Sequence, residues 1–178
     1  MSLLTEEEEK HREICENISA LMEKQLSMMM STINSVDHPY CSYSPFVLMG
    51  ENDDTSIFCF ISDLSSHTEN LRHKPLASLM FIEDELECKS IYTRRRLTLD
   101  CSAHFIERSD KAWESCLIAL EQRHGEIVKL LRNLSDFHLV RFESQSGHYV
   151  QGFGEAYKFN GFDLSSLEHN RPIKETSE

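Results

Sequence analysis

Residues 94–107 read RRRLTLDCSAHFIE. This stretch decides the fold because it predicts a long β-strand with two unlike faces. Side chains alternate between the two faces of a strand. One face carries apolar residues that we expect in the core, namely Leu97, Leu99 and Cys101. The opposite face is polar and carries Arg94, Arg96, Thr98 and Asp100.

Three consecutive arginines are unexpected in a chain whose formal net charge is −12. Two arginines on one strand face can bind a planar anion through paired N–H groups. Arg94 and Arg96 are therefore predicted to form an anion-binding pair. The alternative is a surface pair that forms ion pairs with nearby glutamates such as Glu83, Glu85 or Glu87.

The composition limits the possible functions of the chain. Its 178 residues suit one domain, and the negative charge argues against broad nucleic-acid binding and against adhesion to anionic membranes. No apolar run approaches the ~20 residues of a membrane span. The start, MSLLTEEEEK, lacks the features of a secretion signal. Six scattered cysteines predict reduced thiols and a cytoplasmic location.

The order of apolar patterns predicts an α+β domain built on a mostly antiparallel small barrel. A helix over 5–25 precedes strands at 27–33, 40–49, 56–62 and 75–83, with a short helix near 65–73. After the arginine strand come helices at 109–125 and 126–134, then strands at 137–144 and 148–159 joined by a turn at 145–147. We expect one domain over 1–160, with flanking helices, and a polar tail over 161–178.

Four motifs in this order resemble a known family: SYSPFV (42–47), ISDLSSHTENLRHKPLASLMFIED (61–84), RRRLTLD (94–100) and GFGEAY (152–157). Over residues 15–160 the chain is similar to the split β-barrels of the pyridoxamine-5′-phosphate-oxidase-like superfamily, and within it to the HugZ/HutZ haem-utilisation family. The resemblance implies a homodimer with ligand sites at the subunit interface. The parent superfamily binds FMN there, whereas the haem branch binds haem and degrades it with oxygen and a reductant.

The resemblance also implies roles for individual residues. Arg96 matches the family position nearest the cofactor, Arg94 is the second choice, and Thr98 would lie beside a bound phosphate. His67 begins the His-x-x-Asn-Leu pattern shared with the family, in the first turn of a short helix where anions are favoured. The alternative for His67 is a structural residue that makes hydrogen bonds.

Two further residues follow from the haem branch, which supplies an axial histidine from a C-terminal loop. The candidate is His169, which follows Glu168 where the family has a glycine; the alternative is an incidental histidine in a polar tail. Asp136 of the partner chain would accept the second N–H of the ligand histidine and increase its basicity. The alternative for Asp136 is an ordinary turn aspartate.

Three functions remain open at this stage. The first is a cytoplasmic haem-degrading, oxygenase-like enzyme that releases iron with the help of an external electron donor. The second is an FMN-dependent oxidoreductase, for which the basic residues Arg72, His73 and Lys74 would supplement the arginine strand. The third is a non-catalytic haem carrier. No nucleophile, Walker or dinucleotide-binding motif occurs in the sequence, so hydrolase functions have no support.

Overall fold

The computed structural model describes residues 5–50 and 55–170. The helices in these ranges are α1 (Glu6–Lys24), α2 (Ser66–His73), α3 (Lys111–His124) and α4 (Ile127–Leu131). The strands are β1 (Ser27–Ile33), β2 (Pro39–Pro45), β3 (Val47–Met49), β4 (Ser56–Ser62), β5 (Leu76–Ile82), β6 (Arg96–Ile106), β7 (Phe137–Gly152), β8 (Glu155–Asn160) and β9 (Asp163–His169). A 3₁₀ turn, Ile91–Thr93, precedes β6.

All the strand pairs are antiparallel, and they run in the order β2-β1-β5-β6-β7-β4-β3. The 16-residue strand β7 has three partners. Its first part pairs with β4, its last part pairs with β8, and β6 lies along most of its length. The sheet therefore divides at β7 into two branches and does not close through hydrogen bonds among the described strands. This confirms the predicted α+β class and the antiparallel split-barrel architecture.

Two apolar cores lie on opposite sides of the sheet. The larger one joins the inner face of the sheet to α1, through residues such as Ile14, Ile18 and Leu99. The smaller one packs α3 and α4 against β3 and β4, around Trp113 and Leu117. Across the rest of the sheet, no second layer of described residues covers the face opposite α1, and we call this face the outer face.

Local sequence explains where the helices begin. Thr5 and Glu8 form a capping box at α1, where four glutamates in the first turn also suit the helix dipole. Asp110 caps α3 by accepting a hydrogen bond from the Ala112 N–H at 2.8 Å. Gly125 ends α3 with a φ of 85°, a conformation that favours glycine.

Two strand predictions are wrong. The strand predicted over 40–49 breaks at Phe46 into β2, which pairs with β1, and β3, which pairs with β4. The predicted turn at 145–147 is instead a β-bulge inside β7, because Asp100 pairs with Ser146 while Cys101 pairs with Ser144. The chain reverses later, at Gly154, whose φ is 73°.

The structure also differs from the sequence predictions at two other places. Helical spacing over 126–134 puts Ile127, Leu130, Leu131 and Leu134 on one side, but in the structure Val128 is the residue of α4 that packs against the smaller core. The region predicted as a polar tail begins with strand β9, which pairs with β8. Residues 171–178 of that region lie outside the described residues.

The entrance to β6 is fixed by Glu83, a nearly buried residue that is 8% exposed. Its carboxylate accepts hydrogen bonds from Nε and Nη2 of Arg95 at 2.9 and 2.7 Å. Its backbone carbonyl accepts a bond from Nε of Arg94 at 3.1 Å. The Arg95 hydrogen bonds hold the pKa of Glu83 below its ordinary value. Glu83 therefore binds two of the three consecutive arginines.

Gly147 provides the first test of this packing. A Cβ built on Gly147 would lie 2.2 Å from Cζ of Phe159, whose ring is buried against the glycine. We expect Gly147→Ala to lower the free energy of unfolding by about 1–3 kcal/mol, measured by urea denaturation. Phe159→Leu should lower the free energy of unfolding by less in the Gly147→Ala background than in the wild type, because the smaller leucine no longer overlaps with the alanine. Additive effects would contradict this packing.

Glu83 predicts a pH-dependent stability. Because its pKa is lowered in the folded state, its stabilising effect is complete above the unfolded pKa and is lost as the pH falls through the folded value. We expect Glu83→Gln to destabilise the protein by about 1–3 kcal/mol at pH 7 and by less at pH 3.5. Urea denaturation at both pH values measures this. The control is Glu85→Gln, which removes the exposed partner of Arg94. Equal effects of Glu83→Gln at both pH values would contradict the assignment.

Candidate functional site

Strand register places a straight row of side chains across the outer face. Each residue of the row is the cross-strand partner of the next, from β2 through β1, β5, β6, β7 and β8 to β9. We call it the transverse row, and its members are Tyr43, Met29, Met80, Thr98, His148, Lys158 and Glu168. Its first half is apolar and accessible, with Tyr43 67% and Met29 39% exposed. Its second half is polar and charged.

The arginines beside this row do not form the predicted pair. Arg94 precedes β6 and turns back, so that its Nη1 lies 2.9 Å from Glu85 Oε1. This is the alternative that the sequence left open for Arg94. Arg96 lies on the outer face, where its Nη1 donates to the Arg94 carbonyl at 3.1 Å. Within the part of the chain that the structure describes, Arg96 makes no ion pair, so its charge remains available for a ligand.

Thr98 lies on the same face, two residues after Arg96 and directly opposite His148. His148 shows no ligand spacing to another histidine in the sequence. The alternation of HYVQ does put His148 on the polar side of β7, but only the strand register brings it next to Thr98 and Lys158. His148 and Lys158 are therefore outer-face residues that the sequence alone did not reveal.

His67 lies elsewhere, in the first turn of α2 and on the core side of the sheet. Ser42 Oγ donates to the Met30 carbonyl, so it accepts the hydrogen bond from Nδ1 of His67 at 3.0 Å. Burial lowers the pKa of His67. Its Nε2 is buried and has no hydrogen-bond partner among the described residues. The ring is therefore neutral and brings no positive charge to an anion.

Asp136 lies immediately before β7, next to the start of α2. Its carboxylate accepts a hydrogen bond from Ser62 Oγ at 2.7 Å, and its carbonyl accepts one from the Asp63 N–H at 2.8 Å. Arg96 pairs with Val150 near the other end of β7. At about 3.4 Å per residue, Asp136 and Val150 lie about 48 Å apart along the strand. Asp136 and Arg96 therefore do not meet within one protomer.

His169 ends β9 on the face opposite to Arg96. Its ring packs edge-on against Tyr157 with centroids 5.2 Å apart, and its Nε2–H donates to the Gly154 carbonyl at 2.9 Å. It lines a cavity of about 390 Å³ between α1 and strands β8 and β9. His11 lines the same cavity and contacts the Leu164 carbonyl at 2.9 Å. The structure thus places His169 near His11 and away from Arg96 and Thr98.

The basic stretch of Arg72, His73 and Lys74 does not join Arg96 either. Arg72 pairs with Asp63 at 3.1 Å and lies over the Phe105 ring, while Lys74 pairs with Asp37. Hydrogen bonding from His138, and then from Arg72, lowers the pKa of Asp63.

Residues 5–50 and 55–170 contain no group of three or more His, Cys, Asp or Glu side chains that could hold a metal ion. No helix in these ranges is both long enough and apolar enough to span a membrane.

Comparison with known proteins agrees with this architecture. A family model described as pyridoxamine 5′-phosphate oxidase matches residues 14–151. The chain is 35% identical over 152 residues to "Heme oxygenase HutZ" from Vibrio cholerae. The aligned residues make up 85% of this chain and 84% of HutZ.

Two solved structures are also similar. ChuZ from Campylobacter jejuni superposes with a TM-score of 0.80 and 27% identity, over 94% of this chain but only 66% of ChuZ. HutZ from Vibrio cholerae, described there as a heme storage protein, superposes with a TM-score of 0.66 and 31% identity, over 83% of this chain and 96% of HutZ. The chain belongs to the pyridoxamine-5′-phosphate-oxidase-like split-barrel family, and within it to the branch that contains HutZ.

Proposed function

We propose that the protein binds haem at the outer face of the sheet, between the subunits of a homodimer, and degrades it with oxygen and an external reductant. The observation that carries this proposal is Arg96, a cation without an ion pair among the described residues, on an open face that is apolar at one side. Haem is a flat apolar ring with two carboxylates on one edge. HutZ of Vibrio cholerae, which is named a heme oxygenase in one description and a heme storage protein in the other, supports the same ligand.

The residues present fit such a ligand. Arg96 can bind a propionate through paired N–H groups, and the Thr98 hydroxyl can donate a further hydrogen bond beside it. Met29 and Met80 provide apolar surface along the transverse row. His67, buried and neutral, would support α2 through its contact with Ser42 rather than touch the ligand.

His169 is the proposed axial ligand, since a neutral imidazole is a common ligand of haem iron. In the protomer, His169 lies on the face opposite to Arg96. Coordination of iron at the outer face therefore requires β9 to move, or requires that the histidine come from the second subunit. Among the described strands, β9 is an edge strand that pairs with β8 alone, with an irregular register between Lys158 and Asn160. Such edges open at low cost in free energy.

A second subunit explains the open outer face and gives Asp136 a role. Large apolar side chains such as Tyr43 and Met29 are exposed there, and a two-fold partner would cover them. Asp136 is distant from Arg96 within the protomer, so it can act at this site only across the interface. There, Asp136 of the partner subunit would accept the second N–H of His169 and fix the tautomer of the ligand.

Bound haem would supply the redox chemistry with oxygen, using electrons from the external reductant. The protein would contribute binding and orientation. Arg96 and Thr98 would hold the propionate edge, His169 would hold the iron, and the dimer interface would exclude bulk water.

A haem-storage protein would need the same binding residues, and the description of HutZ as a heme storage protein favours that second candidate. The FMN alternative gains less support, because Arg72 and Lys74 are engaged in ion pairs away from Arg96.

The proposed iron ligand predicts a spectroscopic change. We expect haem titrated into the purified protein to give a shifted Soret band with saturation at one haem per subunit. His169→Ala should move that band and weaken binding at least tenfold, because the iron loses its imidazole. His38→Ala, which removes an exposed histidine of the β1–β2 turn, is the control and should change neither. An unchanged Soret band in His169→Ala would exclude His169 as the ligand.

Adding ascorbate and oxygen to the same complexes distinguishes an enzyme from a storage protein. An enzyme would lose Soret absorbance and release iron to a ferrous chelator, and His169→Ala would slow both. Unchanged haem would favour storage. A flavin spectrum in the purified protein would instead favour the FMN alternative.

If the protein is a dimer, one charged substitution on the outer face should lower the mass at which it sediments. We expect the wild type to sediment at about twice 20.7 kDa, and Met29→Lys to shift it towards monomer by placing a charge in the apolar half of the transverse row. Leu130→Lys is the matched control, because Leu130 is exposed on α4, away from the outer face. A wild type that sediments as a monomer at micromolar concentration would contradict the interface site.

A further inference from the structure

The cavity between α1 and strands β8 and β9 lies apart from the outer face, and the proposed function gives it no ligand. Its volume of about 390 Å³ falls within the range of about 300–1,000 Å³ that is typical of small-molecule sites. Four of its lining residues come from α1, and three come from β8 and β9. A small molecule in this cavity would therefore lie between the helix and the edge of the sheet.

The helical repeat gives the cavity two unlike ends. Glu7, Lys10 and Ile14 recur at i, i+3 and i+7 on the side of α1 that lines the cavity. Ile14 is 3% exposed and belongs to the larger core, whereas Glu7 and Lys10 are exposed. On the opposite wall, Leu167 is partly buried against the same core. The cavity is therefore apolar at its inner end and charged at its mouth.

The mouth carries two opposite charges. Neither Glu7 nor Lys10 forms an ion pair with any residue that the structure describes. A ligand that carries only a carboxylate would gain Lys10 but would be repelled by Glu7, and the reverse holds for a ligand that carries only an ammonium group. A head group with both charges is attracted by both side chains.

Two histidine rings form side walls that are positioned without a ligand. The Nε2 atoms of His11 and His169 contact the carbonyl oxygens of Leu164 and Gly154, each at 2.9 Å. The His169 ring also packs edge-on against Tyr157. A site whose walls are already ordered loses less conformational entropy when a ligand binds.

The floor of the cavity contains an incomplete hydrogen-bond network. Tyr157 is 4% exposed, and its buried hydroxyl makes no hydrogen bond with the described residues. The same is true of Tyr149, which lies directly opposite Tyr157 on β7. Buried hydroxyl groups normally have a partner. A small molecule that enters beside the Tyr157 ring can provide one.

We infer that this cavity binds a small zwitterion with an apolar body, and that its ligand class is α-amino acids with an apolar side chain. Lys10 binds the carboxylate, Glu7 binds the ammonium group, and the apolar side chain lies between Ile14 and Leu167. This site goes beyond the proposed haem function, because it needs neither Arg96 nor iron.

Three probes that differ by one charged group test the inference on the haem-free protein. L-Phenylalanine carries both charges, 3-phenylpropionate lacks the ammonium group, and phenethylamine lacks the carboxylate. Isothermal titration calorimetry measures their dissociation constants. We expect L-phenylalanine to bind about fivefold more tightly than either analogue, because each analogue loses one charge contact at a partly exposed mouth.

Two substitutions of exposed residues test the assigned contacts. Lys10→Gln should remove the advantage of L-phenylalanine over phenethylamine, and Glu7→Gln should remove its advantage over 3-phenylpropionate. The matched controls are Glu6→Gln and Lys111→Gln, which replace exposed residues that do not line the cavity. Both controls should keep the wild-type ratios. Wild-type ratios in Lys10→Gln and Glu7→Gln would overturn the inference.

Nuclear magnetic resonance locates the bound probe. We expect L-phenylalanine to shift the backbone amide signals of His11, Ile14 and Leu167 most strongly. Shifts centred on Thr98 and His148 would place the probe on the outer face and overturn the inference. Equal affinity for L-phenylalanine and either analogue, or no binding of any probe, would also overturn it. Haem titration is a separate measurement, so failure here leaves the proposed function unchanged.

Discussion

The ladder between β6 and β7 is the constraint on which the rest of the structure depends. Its two-residue period puts Leu97 and Tyr149 into the core and Thr98 and His148 on the outer face. A register slip of one residue would exchange these sets and bury charged groups without partners. Because β7 also pairs with β4 and β8, this single register fixes both branches of the sheet and therefore the residues that share the outer face.

Glu83 determines which of the three arginines can act on a ligand. Strand alternation correctly separates Arg95 from its neighbours, but it does not show that Arg94 leaves the strand direction before β6 begins. That depends on the path of the β5–β6 connection, which brings the backbone and carboxylate of Glu83 to Arg94 and Arg95. A nearly buried carboxylate needs such partners. Of the three consecutive arginines, Arg96 alone has no charge partner among the described residues.

Sequence patterns predicted the strands and their faces better than their ends. Gln145, Ser146 and Gly147 have the composition of a turn, yet long-range pairing with β6 on both sides of Gln145 keeps the strand continuous and leaves a bulge. The motif order identified the family, and strand alternation placed Arg96 and Thr98 on one face. It did not reveal His148 or Lys158, because their proximity comes from register across three strands rather than from spacing along the chain.

The position of His169 raises the remaining physical question, because its ring lies on the inner side while Arg96 lies on the outer side. Among the described strands, β9 has a partner on one edge, and partly buried Leu164 and Leu167 hold it against the larger core. Opening an edge strand costs less free energy than global unfolding, and the proposed metal–ligand bond would offset part of that cost. Ligand binding and β9 displacement would then be coupled, so that the contacts to Tyr157 and Gly154 compete with iron for the same imidazole.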